Sequence, residues 1–222
     1  MVRIVLDLRQ NALLIGIARC GKNYMNTSAV VPPGGQFVIP AMSASPLLAF
    51  RCVPAIKPYL PEDVHAPASF IIDTFLTHSQ VAGAQAISLP AHGDPGSLAV
   101  TVSVDGRTLA SGTVPLNATR VELPFSLAGL EPRMQAFDVS CTAEYTHTKQ
   151  TFAASAQLSL LPSPPEGRSV TKMDLRSGAL LAKPATGAGG EYEPVFPIGF
   201  YTNFGGYLDS NLTLLDELKA QG

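Results

Sequence analysis

The chain has no tryptophan, only 3 cysteines, and charged residues at 14% of its 222 positions. Each scarcity narrows what the protein can do. Without tryptophan, the aromatic most often stacked on sugar rings, a sugar platform has to be built from Tyr24, Tyr59, Tyr192, Tyr201 and Tyr207. The 15 Lys and Arg residues are balanced by 17 Asp and Glu, and neither sign gathers into a run. A stripe that tracks phosphates is therefore not expected, and neither is a nucleic-acid partner. Beyond the N-terminus no apolar stretch approaches the ~20 residues of a membrane-spanning helix, because Pro, Gly or a charge interrupts each one. The mature form is expected to be soluble.

Chemistry-bearing motifs are equally sparse. His65, His78, His92 and His147 show no His-x-x-x-His spacing and no Cys-x-x-Cys pair accompanies them, so no metal site or cofactor is predicted. Asp73, Asp94, Asp105 and Asp138 do not follow a calcium-loop spacing and read as turn residues. There is no Gly-x-Ser-x-Gly elbow for a serine hydrolase. Gly187-Ala188-Gly189-Gly190 lacks the Lys-Ser/Thr of a phosphate loop and reads as a connector.

What the chain has is apolar residues at 46% of positions with 19 Gly and 19 Pro. That composition reads as globular and loop-rich, with length for one core and a remnant. Short β-branched and aromatic runs recur between Pro and Gly clusters. They predict strands near 47–53, 69–77, 84–89, 98–104, 108–114, 120–127, 135–145 and 150–161. Val100, Val102 and Val104 alternate with Thr101 and Ser103, which puts three valines on one face. Asp105-Gly106 supplies a tight turn and 108–114 returns as the hairpin partner. Strands at this spacing without helices between them predict an antiparallel β-sandwich over 36–161.

Residues 1–35 read in two ways. Arg3 and Arg9, the apolar Ala12–Ala18 run and small residues at Ala18 and Cys20 imitate a signal peptide, while Asp7 and Arg19 break that pattern and the other reading is ordinary strands over Ile4–Leu8 and Leu13–Ile17. The sequons at Asn26, Asn117 and Asn211, each with Ser or Thr two residues on, point to glycosylation and secretion. If Cys20 leaves with a signal, Cys52 and Cys141 remain as an even pair and are expected to form a disulfide; the other reading is two buried thiols.

Pro162-Ser163-Pro164-Pro165-Glu166-Gly167 predicts a stiff linker, since prolines remove ladder donors and fix φ. Within 162–194, Val170–Asp174 and Ala179–Lys183 predict a small hairpin around Arg176-Ser177-Gly178, separate from the main sandwich. The tail, 195–222, reads as a strand over Val195–Tyr201, a loop, and a helix over Leu208–Lys219 with Leu208, Leu212, Leu215 and Leu218 on one face and Asp209 or Ser210 as N-cap.

Two stretches carry resemblances. Leu130-Glu131-Pro132 followed by Phe137-Asp138-Val139-Ser140-Cys141 resembles the entry to the penultimate strand of immunoglobulin-like and fibronectin III domains, with Phe137 where their corner tyrosine stands. Val195-Phe196-Pro197-Ile198-Gly199-Phe200-Tyr201 and the helix running to Gly222 are similar to the first β/α unit of the (β/α)8 barrels of secreted, fungal-type glycoside hydrolases. Met173–Leu181 resembles the segment that introduces such a barrel, and these proteins often place a β-sandwich before it.

The resemblance implies an immunoglobulin-like sandwich followed by the truncated start of a barrel. The catalytic carboxylates of that family sit on later strands absent from this sequence, so no catalytic residue carries over. Tyr201, Asn203 and Phe204 would lie on the substrate-facing loop side, carbohydrate would be met through the parent protein, and the incomplete unit would favour self-association. The other reading is a stand-alone extracellular adhesion or carbohydrate-binding module with the tail as a cap.

Overall fold

The computed structural model describes residues 39–166, 168–183, 191–196 and 204–220. The chain is mainly β, with antiparallel sheets. Eight strands form a body, β1 (Met42–Pro54), β3 (Ala68–Ser79), β4 (Ala84–Ala86), β5 (Ser97–Val104), β6 (Arg107–Pro115), β7 (Val121–Phe125), β8 (Phe137–Tyr145) and β9 (Thr151–Leu158), while the short β2 (Ile56–Lys57) lies between β1 and β3 in sequence. Three more, β10 (Lys172–Asp174), β11 (Ala179–Ala182) and β12 (Glu193–Val195), precede one helix, α1 (Thr213–Ala220). One body sheet has the order β4-β1-β3-β7 and the other β6-β5-β8-β9.

Period-two alternation explains why these segments are strands. Along β8, Phe137, Val139, Cys141, Ala143 and Tyr145 are buried while the residues between them are exposed. Val100, Val102 and Val104 of β5 turn to the same side. These residues meet Leu48, Phe50, Phe70, Ile72 and Phe125 of the facing sheet in a single apolar core. A side chain on the wrong parity would leave that core, so the pattern fixes the register. Cys52 of β1 and Cys141 of β8 are joined as a disulfide across the two sheets.

Turn chemistry sets the connections. Asp105 and Gly106 both take positive φ, 50° and 78°, the backbone that a two-residue hairpin needs, and Val104 pairs with Arg107 across it. Tyr145, fully buried at the end of β8, donates its hydroxyl to the Pro95 carbonyl at 2.6 Å and so closes the far end of the core. Phe137 has no hydroxyl to offer, and the Arg133 guanidinium stacks on its ring at 3.7 Å. The β4 strand stops at Ala86, short of the expected 84–89, because Ile87 turns into the core and its N–H binds the Pro46 carbonyl.

The hairpin β10–β11 belongs to a third sheet, ordered β12-β11-β10-β2. This ribbon grows on Ile56–Lys57, which follow directly from β1, with Met173 opposite Lys57 and Asp174 opposite Ile56. The segment before it is also pinned. Tyr59 and Leu160 form a parallel bridge, with Tyr59 N–H on the Ser159 carbonyl and Leu161 N–H on the Tyr59 carbonyl. The proline run is a short span between two anchored points.

Two tail expectations change. The helix begins at Thr213, not Leu208, because the Asp209 carboxylate accepts the Gly206 N–H and Asn211 Oδ1 takes the capping role toward the Thr213 N–H. The expected strand Val195–Tyr201 shares only Val195 with β12, which pairs antiparallel with β11; residues 197–203 lie outside the described residues.

Candidate functional site

A cleft of about 510 Å³ opens where the ribbon meets the body. A short 3-10 turn, Pro61–His65, forms one wall. Asp63 stabilises that turn by accepting the Leu60 N–H at 2.7 Å. The same carboxylate receives the Lys172 ammonium from β10 at 2.7 and 2.8 Å. Lys172 is only 2% exposed. Glu62 lies 3.8 Å from it, and the Tyr192 ring centroid also stands 3.8 Å from Nζ. Glu62 in turn holds Lys183, just past β11, at 2.8 Å. Two ammoniums, two carboxylates and an aromatic face thus join three segments distant in sequence.

Charge balance explains why the cluster tolerates burial. An isolated ammonium out of water would be strongly disfavoured, whereas one with a bidentate carboxylate and a ring face is compensated. Hydrogen bonding from Glu62 pushes the Lys183 ammonium above its usual range. Burial, then the Glu62 charge, raises the Tyr192 phenol. At the hairpin turn, burial works against the Asp174 carboxylate, but bonds from the Arg176 side chain and backbone outweigh it and hold the acid below its usual value. Arg176 also reaches to 4.0 Å from Glu122 of β7. Chemically this is a clamp: Asp63 and Glu62, the carboxylates within 4 Å of Lys172, also bind the Leu60 N–H and Lys183.

The ribbon's outer side is different. Gly178, Ala179, Leu180, Pro194, Val195 and Phe196 line an apolar cleft of about 360 Å³. Val195 is 42% and Phe196 86% exposed.

The residues singled out from sequence do not assemble into one site. Tyr201, Asn203 and Asn26 lie outside the described residues. Phe204 opens an irregular turn, Phe204–Leu208, where Gly206 takes φ 78°. Asn117 and Asn211 are exposed, the first in the β6–β7 connection and the second before α1. Asp73 accepts the Arg120 N–H, Asp94 the Gly96 N–H and Asp138 a Gln157 amide proton, so these aspartates serve three separate places. No helix among the described residues is long and apolar enough to cross a membrane. Sequence reasoning missed Lys172 and Asp63 altogether, since no local pattern links residues 109 positions apart.

These features define a mainly-β protein with a charged clamp between its body and a C-terminal ribbon. No family model, curated protein or solved structure matches the chain.

Proposed function

We infer that the chain is the non-catalytic N-terminal part of a secreted glycoside-hydrolase-like protein, in which an immunoglobulin-like sandwich and its ribbon carry a (β/α)8 barrel. The observation that carries this reading is the buried Lys172 clamp. The clamp fixes the ribbon on the sandwich, so a domain continuing from the ribbon would leave the sandwich in a defined direction. The segment that resembles the first β/α unit, Val195–Tyr201 with the helix running to Gly222, continues from the last strand of this ribbon.

Other features lend support. With β2 and β4 set aside, the strands divide as β1-β3-β7 and β6-β5-β8-β9, the partition of immunoglobulin-like sandwiches in which the fourth strand joins the second sheet. The disulfide joins β1 to β8 and suits an oxidising compartment. The uncovered Val195 and Phe196 call for an apolar partner, which the rest of a barrel or a second copy of the chain would supply.

The test is the transcript beyond the Gly222 codon. A continuing β/α pattern, with two carboxylates at later strand ends spaced for retaining or inverting hydrolysis, is expected. A stop codon with no barrel-like frame after it sinks the reading and favours the stand-alone module.

A further inference from the structure

The body sheets have four outer strands, and three of them are protected. β4 is only 3 residues long. β7 carries Glu122 and Pro124, a charge and a missing N–H that both discourage pairing with another strand. β9 is flanked by the β4 region, with Gln85 Nε2 donating to the Ala153 carbonyl and Gln150 Nε2 to the Ala86 carbonyl. β6 is the exception. It runs for 9 residues with no charge after Arg107; its bulge lies near its start, between the Thr108 and Ala110 pairings, its proline, Pro115, is its last residue, and no described strand pairs with its outer side. Thr108, Ser111 and Thr113 along it are exposed. An edge of this length and neutrality is a template for edge-to-edge association.

The sequon Asn117-Ala118-Thr119 begins two residues past the end of β6, in the crossing to β7. Fully buried Thr74 makes this turn rigid: its N–H binds the Ala118 carbonyl, its carbonyl receives the Asn117 N–H, and its hydroxyl receives the Ala118 N–H. Asn117 is exposed with φ at 59°, a conformation asparagine tolerates better than most residues. The Leu76 N–H donates to its Oδ1 at 3.4 Å. Because a backbone N–H can only donate, Oδ1 is the atom it binds, and Nδ2 makes no hydrogen bond to a described residue. Turn geometry accounts for the asparagine but not for Thr119, which is exposed and makes no hydrogen bond to a described residue. A glycosylation acceptor accounts for both.

We propose that Asn117 carries an N-linked oligosaccharide that shields the open β6 edge. The bond forms between Nδ2 and the anomeric carbon of an oligosaccharide carried on a polyprenyl pyrophosphate. The bond from that carbon to the donor breaks, the lipid pyrophosphate leaves with the electron pair, and an Nδ2 proton passes to the transferase's base. Asn211 is also exposed, and its Oδ1 likewise accepts, from the Thr213 N–H and hydroxyl, but it stands at the start of α1 and no open strand edge among the described residues adjoins it. The proposal rests on the secreted reading, and its test separates the two.

The full chain is placed behind a foreign signal sequence in a glycosylating eukaryotic cell, so that entry to the secretory pathway no longer depends on its own residues. Peptide mass mapping after an endoglycosidase that converts glycosylated Asn to Asp is expected to find Asn117 converted, and Thr119→Ala is expected to abolish the conversion. The secreted wild type should stay monomeric at concentrations where Thr119→Ala self-associates. The two chains made in bacteria, both without glycan, should self-associate equally. An unmodified Asn117 on secreted protein overturns the proposal, and equal association of glycosylated and unglycosylated chains overturns its shielding role. Expression without the foreign leader tests native secretion on its own.

Discussion

The body and the ribbon are held by opposite means. Between the two body sheets the contacts are apolar and continuous, and a disulfide crosses them. In the ribbon the one fully buried residue among those described is a lysine, and its attachment is an ion-pair cluster between Lys172, Asp63, Glu62 and Lys183. Apolar burial is non-directional and tolerates small shifts, whereas a bidentate ammonium–carboxylate contact in a dry site is satisfied in one geometry. The body is therefore built for stability and the ribbon for orientation.

The largest effect that sharpens this contrast is on the body. Replacing Cys52 and Cys141 by Ala frees a loop spanning 89 residues and should lower unfolding stability by about 4–5 kcal/mol on the chain-entropy account. Denaturant melts followed by far-ultraviolet circular dichroism measure it. A loss under about 1 kcal/mol would mean the apolar core alone sets body stability.

Next is Lys172→Met. It removes the buried ammonium and leaves Asp63 without its partner, costing about 3 kcal/mol locally, at the low end for buried pairs because Asp63 keeps some water contact. Amide exchange over 172–183 should accelerate while β5 and β8 keep their protection. Equal acceleration in both regions would show that the two are one cooperative unit.

A pH titration breaks the comparison along another axis. The depressed Asp174 carboxyl contributes stability that is complete above the ordinary aspartate value, about 3.9, and is lost as pH falls through its lower folded value. The raised Lys183 works the other way: its contribution is complete below the ordinary lysine value, about 10.4, and is lost as pH rises through the raised one. Ribbon exchange should therefore quicken before the body's as pH falls, while at the alkaline extreme burial-raised Tyr59 and Tyr145 loosen the body as well. A body that loosens first as pH falls would contradict the assignment of the charges to the ribbon.

The smallest effect is Tyr145→Phe, which removes one buried hydroxyl bond to the Pro95 carbonyl and should cost the body about 1 kcal/mol without moving ribbon exchange. Thermal melts of the variant read it directly.

The two regions also differ in how far sequence announces them. The Val100–Val104 alternation, the Asp105-Gly106 turn and the apolar parity of β8 are local signals, and each stands in the structure where the pattern puts it. The ribbon sheet is non-local. β2 is two residues long, too short to show any period, and it pairs with β10 more than a hundred positions away. Lys172 looks like any surface lysine until Asp63 is brought to it. The start of α1 is hard to read for a related reason: Asp209, an expected cap, is drawn back by the Gly206 N–H, and Asn211, which the helical pattern does not single out as a cap, meets the Thr213 N–H instead.

The proposed function is met most directly by an activity assay on the purified chain. Incubated with a panel of aryl glycosides and polysaccharides, it should release no product above buffer, because Glu62 and Asp63, the carboxylates brought together in the described cleft, are held by Lys183 and Lys172 and are not placed to act as proton donor and nucleophile on one bond. Turnover above buffer that is abolished by substituting one of the chain's own carboxylates would contradict the reading of this chain as a non-catalytic mount.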